Sequence, residues 1–214
     1  MEAVYQTLVA RALQVAQGRP RSDSGSLKRV IIALSGPPGA GKLTIAETVI
    51  ARLNALATKP FAIALSMDGF HYPKKYLDEL ENPEEAHARR GAHWTFDASE
   101  VIHAPQFDHG VGDPVEGAIE VSPEVSLIIL EGNYLAYNVP PWSEIGDYVD
   151  DTWFVDVDME VAKRRIARRH LASGIEKTME DAVRRAENND MLNNVDIHAN
   201  LIKPAVVVYS VDEP

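Results

Sequence analysis

The sequence predicts an α/β protein of three layers, a parallel sheet between helices, on three observations. Short, near-continuous apolar runs at Val30 to Leu34, Phe61 to Leu65, Val125 to Leu130, Thr152 to Val157 and Ala205 to Val211 have the length and hydrophobicity of buried strands. Helix-like stretches or long connections separate them, the pattern of parallel strands joined by right-handed crossovers. A glycine-rich loop lies directly between the first run and the helical pattern that follows it.

Taken in order, Val4 to Ala16 sets Val4, Leu8, Leu13 and Val15 among Ala and Gln, a helix with an apolar face ended by Gly18 and Pro20. Arg19 to Ser26 reads as a polar linker. After the first strand comes the loop: Gly36, Pro37, Pro38, Gly39, Ala40, Gly41, Lys42, Leu43 and Thr44. Glycines let such a backbone curl with its N–H groups around an anion, and Lys42 adds a mobile positive charge. The helix predicted at Ile45 to Leu56 points its positive end at the same place. One position departs from the pattern. The hydroxyl that ligates magnesium belongs directly after the lysine, where Leu43 stands, and Thr44 carries it one residue late. Residues at a helix start point about 100° apart, so Thr44 is no simple substitute.

The second strand ends at Ser66-Met67-Asp68-Gly69-Phe70-His71. Tyr72 to Arg90 is highly charged and reads as a solvated flap, helical in pieces and broken at Pro73 and Pro83, and Gly110 to Gly117 reads as a loop. The third strand stops at Glu131-Gly132-Asn133-Tyr134. Met159 to Asn194 then predicts two helical stretches split at Ser173-Gly174, the first carrying Arg164, Arg165, Arg168 and Arg169.

At 214 residues and 45% apolar composition the chain suits one domain, residues 1–214, with a small helical lid at about 164–190. A formal charge of −11 argues against a surface built for nucleic acid or an anionic membrane. The absence of cysteine removes disulfides, thiolate catalysis and zinc–thiolate sites together. With no leader pattern and no membrane-length apolar stretch, a cytoplasmic protein is expected.

Ligands of an open parallel sheet gather at the carboxyl ends of its strands. Asp68 and Glu131 leave two such ends beside the phosphate loop, where a carboxylate can accept a proton from an attacking hydroxyl or hold magnesium. The plainer alternatives are a helix cap at Asp68 and a turn residue at Glu131. Arg165 and Arg169 share a helix face and suit either a lid over phosphates or a solvated basic face. Histidine spacing matches no metal site, while His71 and His109 fall in candidate loops. Trp94, Phe96 and Tyr134 suit either an acceptor pocket or packing.

These residues together resemble the phosphoribulokinase/uridine kinase family of P-loop kinases, near pantothenate kinase and the fructose-transport-system kinases. Gly36 to Thr44, Met67 to His71, Pro105-Gln106-Phe107-Asp108-His109 and Ile129 to Leu135 carry the resemblance, with Arg165/Arg169 and Arg185 to Asp190 adding a lid-like region. It implies a P-loop NTPase fold, ATP as donor, a small-molecule hydroxyl as acceptor, and Mg2+. Asp68 matches the family's acceptor-activating aspartate, Lys42 its phosphate lysine, Glu131 the acid on the magnesium side, and Arg165 and Arg169 its lid arginines. Asp68, His71, Arg90, Asp108, His109 and Tyr134 fall on the acceptor side, and Thr44 and Glu131 on the metal side. Two departures stand out: Leu43, and the span Ala98 to Ala104 after Asp97, too short for the helix and strand that relatives place there. The resemblance thus implies a kinase or, alternatively, a nucleotide-binding relative with little catalysis. A sheet edge exposed by the short segment makes a homodimer an expectation.

Overall fold

The five apolar runs pair as one sheet. The structure, a computed structural model, describes residues 1–18, 29–96, 106–108, 113–115, 121–122 and 124–211. Strands β1 (Val30–Ser35), β2 (Ala62–Ser66), β5 (Leu127–Gly132), β6 (Asp151–Val157) and β7 (Val206–Ser210) run parallel in the order β2-β5-β1-β6-β7. Chain neighbours β1 and β2 are separated by β5, and β5 and β6 by β1. The chain therefore moves from β1 to one side of the sheet and from β5 to the other, a reversal that opens a crevice at the carboxyl end of β1.

Helices cover both faces. Helix α1 (Glu2–Gln17) buries Leu8 and Ala12, and α2 (Lys42–Asn54) buries Ile45, Ala46, Val49 and Leu53 at the spacing of one helix face. These join Ile32, Leu34, Trp153, Val155 and Ile166 in the larger core. Arg11 of α1 grips Asp151 with two hydrogen bonds, 2.7 and 3.1 Å. The opposite face packs Ala33 and Phe154 against Met67, Phe96, Tyr134, Tyr137, Trp142 and Ile197.

Helices α5 (Met159–Ala172), α6 (Met179–Arg185) and α7 (Met191–Ala199) fill the region read as two helical stretches. Asp158 caps α5 by accepting from the N–H groups of Glu160 and Val161, and Thr178 caps α6 through the Asp181 N–H. A π-helical turn, Ala186–Asp190, joins α6 to α7, where the sequence showed one continuous pattern. The stretch 164–190 is not detached from the core, because Ile166, Ala167, Ala182 and Ala186 are all buried.

The charged flap holds α3 (Lys74–Leu77) and α4 (Pro83–Ala88). Its prolines begin these helices instead of breaking them: Pro73 precedes α3, and Pro83 occupies the first turn of α4, where no N–H is needed. Nor is the flap wholly solvated, since Leu77 and Ala86 are buried and Arg89 reaches α7 through Asn193 Oδ1 at 2.8 Å. Within the span read as a loop, β4 (Asp113–Val115) pairs antiparallel with β3 (Gln106–Asp108). Residues 97–105, including the shortened segment, lie outside the described residues. Among those described, no helix is long and apolar enough to cross a membrane.

Candidate active site

The glycine-rich loop turns between β1 and α2 as its composition demands. Gly39 adopts φ +77°, and a Cβ there would come within 2.8 Å of the Ala162 carbonyl, so the loop packs directly on α5. Gly36, Pro37, Pro38 and Ala40 are buried. Lys42, only 9% exposed, donates from Nζ to the Pro37 carbonyl at 3.2 Å and to Asn133 Oδ1 at 2.7 Å. Leu43 is 47% exposed, presenting methyl groups where a hydroxyl is customary. Thr44 is exposed too, and its carbonyl accepts from the Thr48 hydroxyl within α2.

Glu131 lies inside β5, not in the turn after it, level with Leu34 of β1 and Ser66 of β2. Next to it, Gly132 is required by close approach: a Cβ there would meet Met67 Cβ at 2.4 Å. This contact seats the short 3₁₀ turn Met67–Phe70 on β5 and delivers Asp68 to the crevice. Asp68 does not cap that turn; Ser66 does, its hydroxyl accepting from the Asp68 N–H. The β3–β4 hairpin packs on the same turn, which brings the backbone of Asp108 alongside. His109 lies outside the described residues.

Lys42, Glu131, Asp68 and Arg169 share one electrostatic neighbourhood. Burial pushes the Lys42 ammonium below the ordinary lysine range, the Glu131 and Asp68 carboxylates pull it back, and Arg169 adds to the lowering. Burial likewise pushes Glu131 above the carboxylate range. Lys42 and a hydrogen bond with Ser66 oppose that rise, and Asp68 and Glu47 reinforce it. Arg169 is exposed and stands 3.9 Å from Asp190. Arg165 donates to the Gly39 carbonyl at 3.1 Å and to Ser210 Oγ at 2.9 Å, so in this structure it braces the loop.

The remaining acceptor-side candidates are more scattered. His71 donates from Nδ1 to the Asp68 carbonyl at 2.8 Å, and its ring centroid lies 3.9 Å from that of Phe96. Arg90 donates to the Tyr72 carbonyl at 2.9 Å. Tyr134 and Phe96 belong to the core: Tyr134 is fully buried among Phe96, Tyr137 and Trp142, and its hydroxyl donates to the Gly91 carbonyl. The reading of Tyr134 as an acceptor-pocket residue gives way to packing, because every face of its ring is covered. Trp94 remains 40% exposed. Asn133 was not singled out by its sequence, although its place in Glu-Gly-Asn-Tyr directly after a strand end was a usable signal.

The donor set suits a nucleotide-borne magnesium ion better than a protein cage. Among the described residues no cluster of three His, Asp or Glu side chains is placed to hold a metal. Magnesium on phosphates asks for less, one or two carboxylates with waters completing the shell, a requirement that the Glu131 carboxylate beside the loop fits.

Comparison with known proteins places this architecture. No family model matches the chain. It is 40% identical over 195 residues to "Putative uridine kinase C227.14" of Schizosaccharomyces pombe, covering 85% of this chain and 83% of that protein. It is 28% identical over 212 residues to the ATP-dependent kinase YFH7 of Zygosaccharomyces rouxii, covering 79% of this chain but only 56% of the relative's length. Among solved structures, a "putative fructose transport system kinase" from Silicibacter sp. TM1040 superimposes with a TM-score of 0.81 at 30% identity, covering 95% of this chain and 98% of that one. YFH7 of Saccharomyces cerevisiae superimposes with a TM-score of 0.83 over 98% of this chain and 99% of that one, a likeness of fold at 21% identity. On this fold, this phosphate loop and the identity to the fission-yeast protein, the chain belongs to the uridine kinase-like family of P-loop kinases.

Proposed function

We propose that the protein transfers the γ-phosphate of ATP to a hydroxyl group of a small molecule, with a nucleoside such as uridine, a sugar-like compound or a pantothenate-like compound as acceptor. The observation that carries this reading is the convergence of Lys42, Arg169, Asp68 and Glu131 on one loop mouth. The loop N–H groups and Lys42 bind the β- and γ-phosphates. Asp68 accepts the proton of the acceptor hydroxyl as its oxygen bonds to γ-phosphorus and the bond to the bridging oxygen of ADP breaks. Lys42 and Arg169 neutralise charge that builds on the transferring group, and Arg165 keeps the loop in shape. Glu131 would hold, directly or through water, a magnesium ion that screens the phosphates. His71 and Arg90 stand on the acceptor side, and the protein works on free small molecules without a nucleic acid or membrane partner.

Leu43 favours a second reading, a nucleotide-binding protein with little turnover, since the customary hydroxyl ligand is absent from an otherwise intact loop. ADP release from Mg-ATP separates the two. It is measured over uridine, cytidine, pantothenate, fructose and glycerate, with this chain and with Leu43→Ser. Acceptor-dependent turnover by the native chain supports the kinase and names its substrate class. Turnover only in Leu43→Ser supports the second reading, and silence in both refutes the kinase proposal for these acceptors.

A further inference from the structure

The phosphate loop is held from outside by a residue of the sheet's far edge. Ser210 ends β7, level with Val157 of β6, and its Oγ accepts from Arg165 Nη1 at 2.9 Å. The same nitrogen, which carries two hydrogens, donates to the Gly39 carbonyl at 3.1 Å. A peptide unit is planar and trans, so a carbonyl pinned to one side sends the next N–H to the other. The Ala40 N–H accordingly crosses the loop to the Pro37 carbonyl at 3.2 Å, and that carbonyl also receives Lys42 Nζ at 3.2 Å. One chain of contacts thus runs from Ser210 through Arg165, Gly39, Ala40 and Pro37 to the phosphate lysine. Ser210 also lies against the loop directly, since a Cβ on Gly41 would stand 3.7 Å from its Oγ. A long arginine side chain tied to one acceptor still swings, and a second acceptor on a strand fixes its fork.

We propose that Ser210 is a positioning residue of the phosphate loop that acts through Arg165. Its hydroxyl keeps the guanidinium on the Gly39 carbonyl, which sets the Gly39–Ala40 peptide and, through the Pro37 carbonyl, the place of Lys42. The consequence for ATP rests on the reading of the loop as a nucleotide site; the ordering of the loop by Ser210 does not.

Two measurements test it: hydrogen exchange of the Ala40 amide, followed by NMR in the nucleotide-free protein, and the affinities for ATP and for adenosine. They are applied to the native chain, Ser210→Ala, Ser210→Thr, Arg165→Ala, Ser210→Ala combined with Arg165→Ala, and Lys42→Ala. In Ser210→Ala the guanidinium is released, the Ala40 amide exchanges on the order of tenfold faster, and ATP binds about three- to tenfold more weakly. Adenosine, which has no phosphate, binds as before. Ser210→Thr keeps the hydroxyl and restores both native values. Arg165→Ala weakens ATP further, and adding Ser210→Ala to it brings no additional loss, because the two residues act in series. A merely structural serine would weaken ATP and adenosine alike, and its effect would add to that of Arg165→Ala. Either of those results overturns the proposal, as does native Ala40 exchange in Ser210→Ala or no rescue by Ser210→Thr. Equal ATP affinity in the native chain and Lys42→Ala would refute the nucleotide reading instead, and Ala40 exchange in Ser210→Ala and Ser210→Thr would still decide the role of Ser210.

Discussion

Asp151 and Glu131 flank β1 on its two sides, level with Ile32 and Leu34, and each is 6% exposed. Their surroundings are opposite. Asp151 receives a forked pair of bonds from Arg11 and a third, 2.8 Å, from Trp153 Nε1. Burial pushes its carboxyl upward, but those donors outweigh burial and hold it below the ordinary range. Glu131 has Lys42 nearby yet no ion pair, and burial prevails. One charge is consumed by the fold. The other is left under-compensated beside a phosphate loop, which is the condition of a group kept for chemistry rather than for stability.

The sharpest way to break this contrast is at the loop mouth. Asp68→Asn should lower phosphoryl transfer by about 10²- to 10⁴-fold, the usual contribution of a positioned base. ATP affinity and thermal midpoint should stay near native, because among the described residues Asp68 bonds to the fold through its backbone N–H and carbonyl. Single-turnover transfer and calorimetric ATP binding measure the two. Normal turnover would remove Asp68 from the role of base.

Arg11→Ala tests the other side. It leaves Asp151 buried with Trp153 as its main remaining donor, and breaking a buried pair from one side is costly. Arg11 is itself 36% exposed in its side chain, which moderates the loss to about 2 kcal/mol, read from urea unfolding. ATP affinity should not change. A fall in affinity to match the fall in stability would mean that the two carboxylates are not separate in purpose.

The same contrast marks what a sequence can and cannot disclose. All five parallel strands were legible because strands of a helix-covered parallel sheet are largely apolar, which needs no tertiary information, although the edge strand β7 leaves Val207 and Tyr209 exposed. The loop, Asp68 and Glu131 were legible because their chemistry is local to strand ends. Tyr134 was not: an aromatic beside a strand end looks alike whether it faces a cleft or Trp142 and Phe96, and only the packing decides. Arg165 was half legible, since helical spacing placed it over the loop without indicating that it would bind the Gly39 carbonyl. The Lys42–Asn133 bond joins residues ninety-one apart in sequence, and no local pattern encodes it.

The smallest expected effect is the most discriminating, because it turns on sign. Glu131 has a folded-state pKa above its unfolded value, so its contribution to stability is fully present below the ordinary carboxylate range and is lost as pH rises through the raised folded value. Asp151 is depressed, so its contribution is present above the ordinary range and lost as pH falls through the lowered folded value. Urea unfolding from about pH 4 to about pH 8 should therefore show Glu131→Gln gaining on the native chain as pH rises, by about 1 kcal/mol or less. Asp151→Asn should instead lose ground as pH rises from about pH 2 to about pH 5, because its depressed carboxyl titrates below the Glu131 window. Glu131→Gln should also lower phosphoryl transfer, so a variant at least as stable as the native chain at neutral pH would be the poorer kinase. If both substitutions instead destabilised the protein with the same pH dependence, Glu131 would be a structural acid like Asp151, and the loop mouth would hold one functional carboxylate, Asp68.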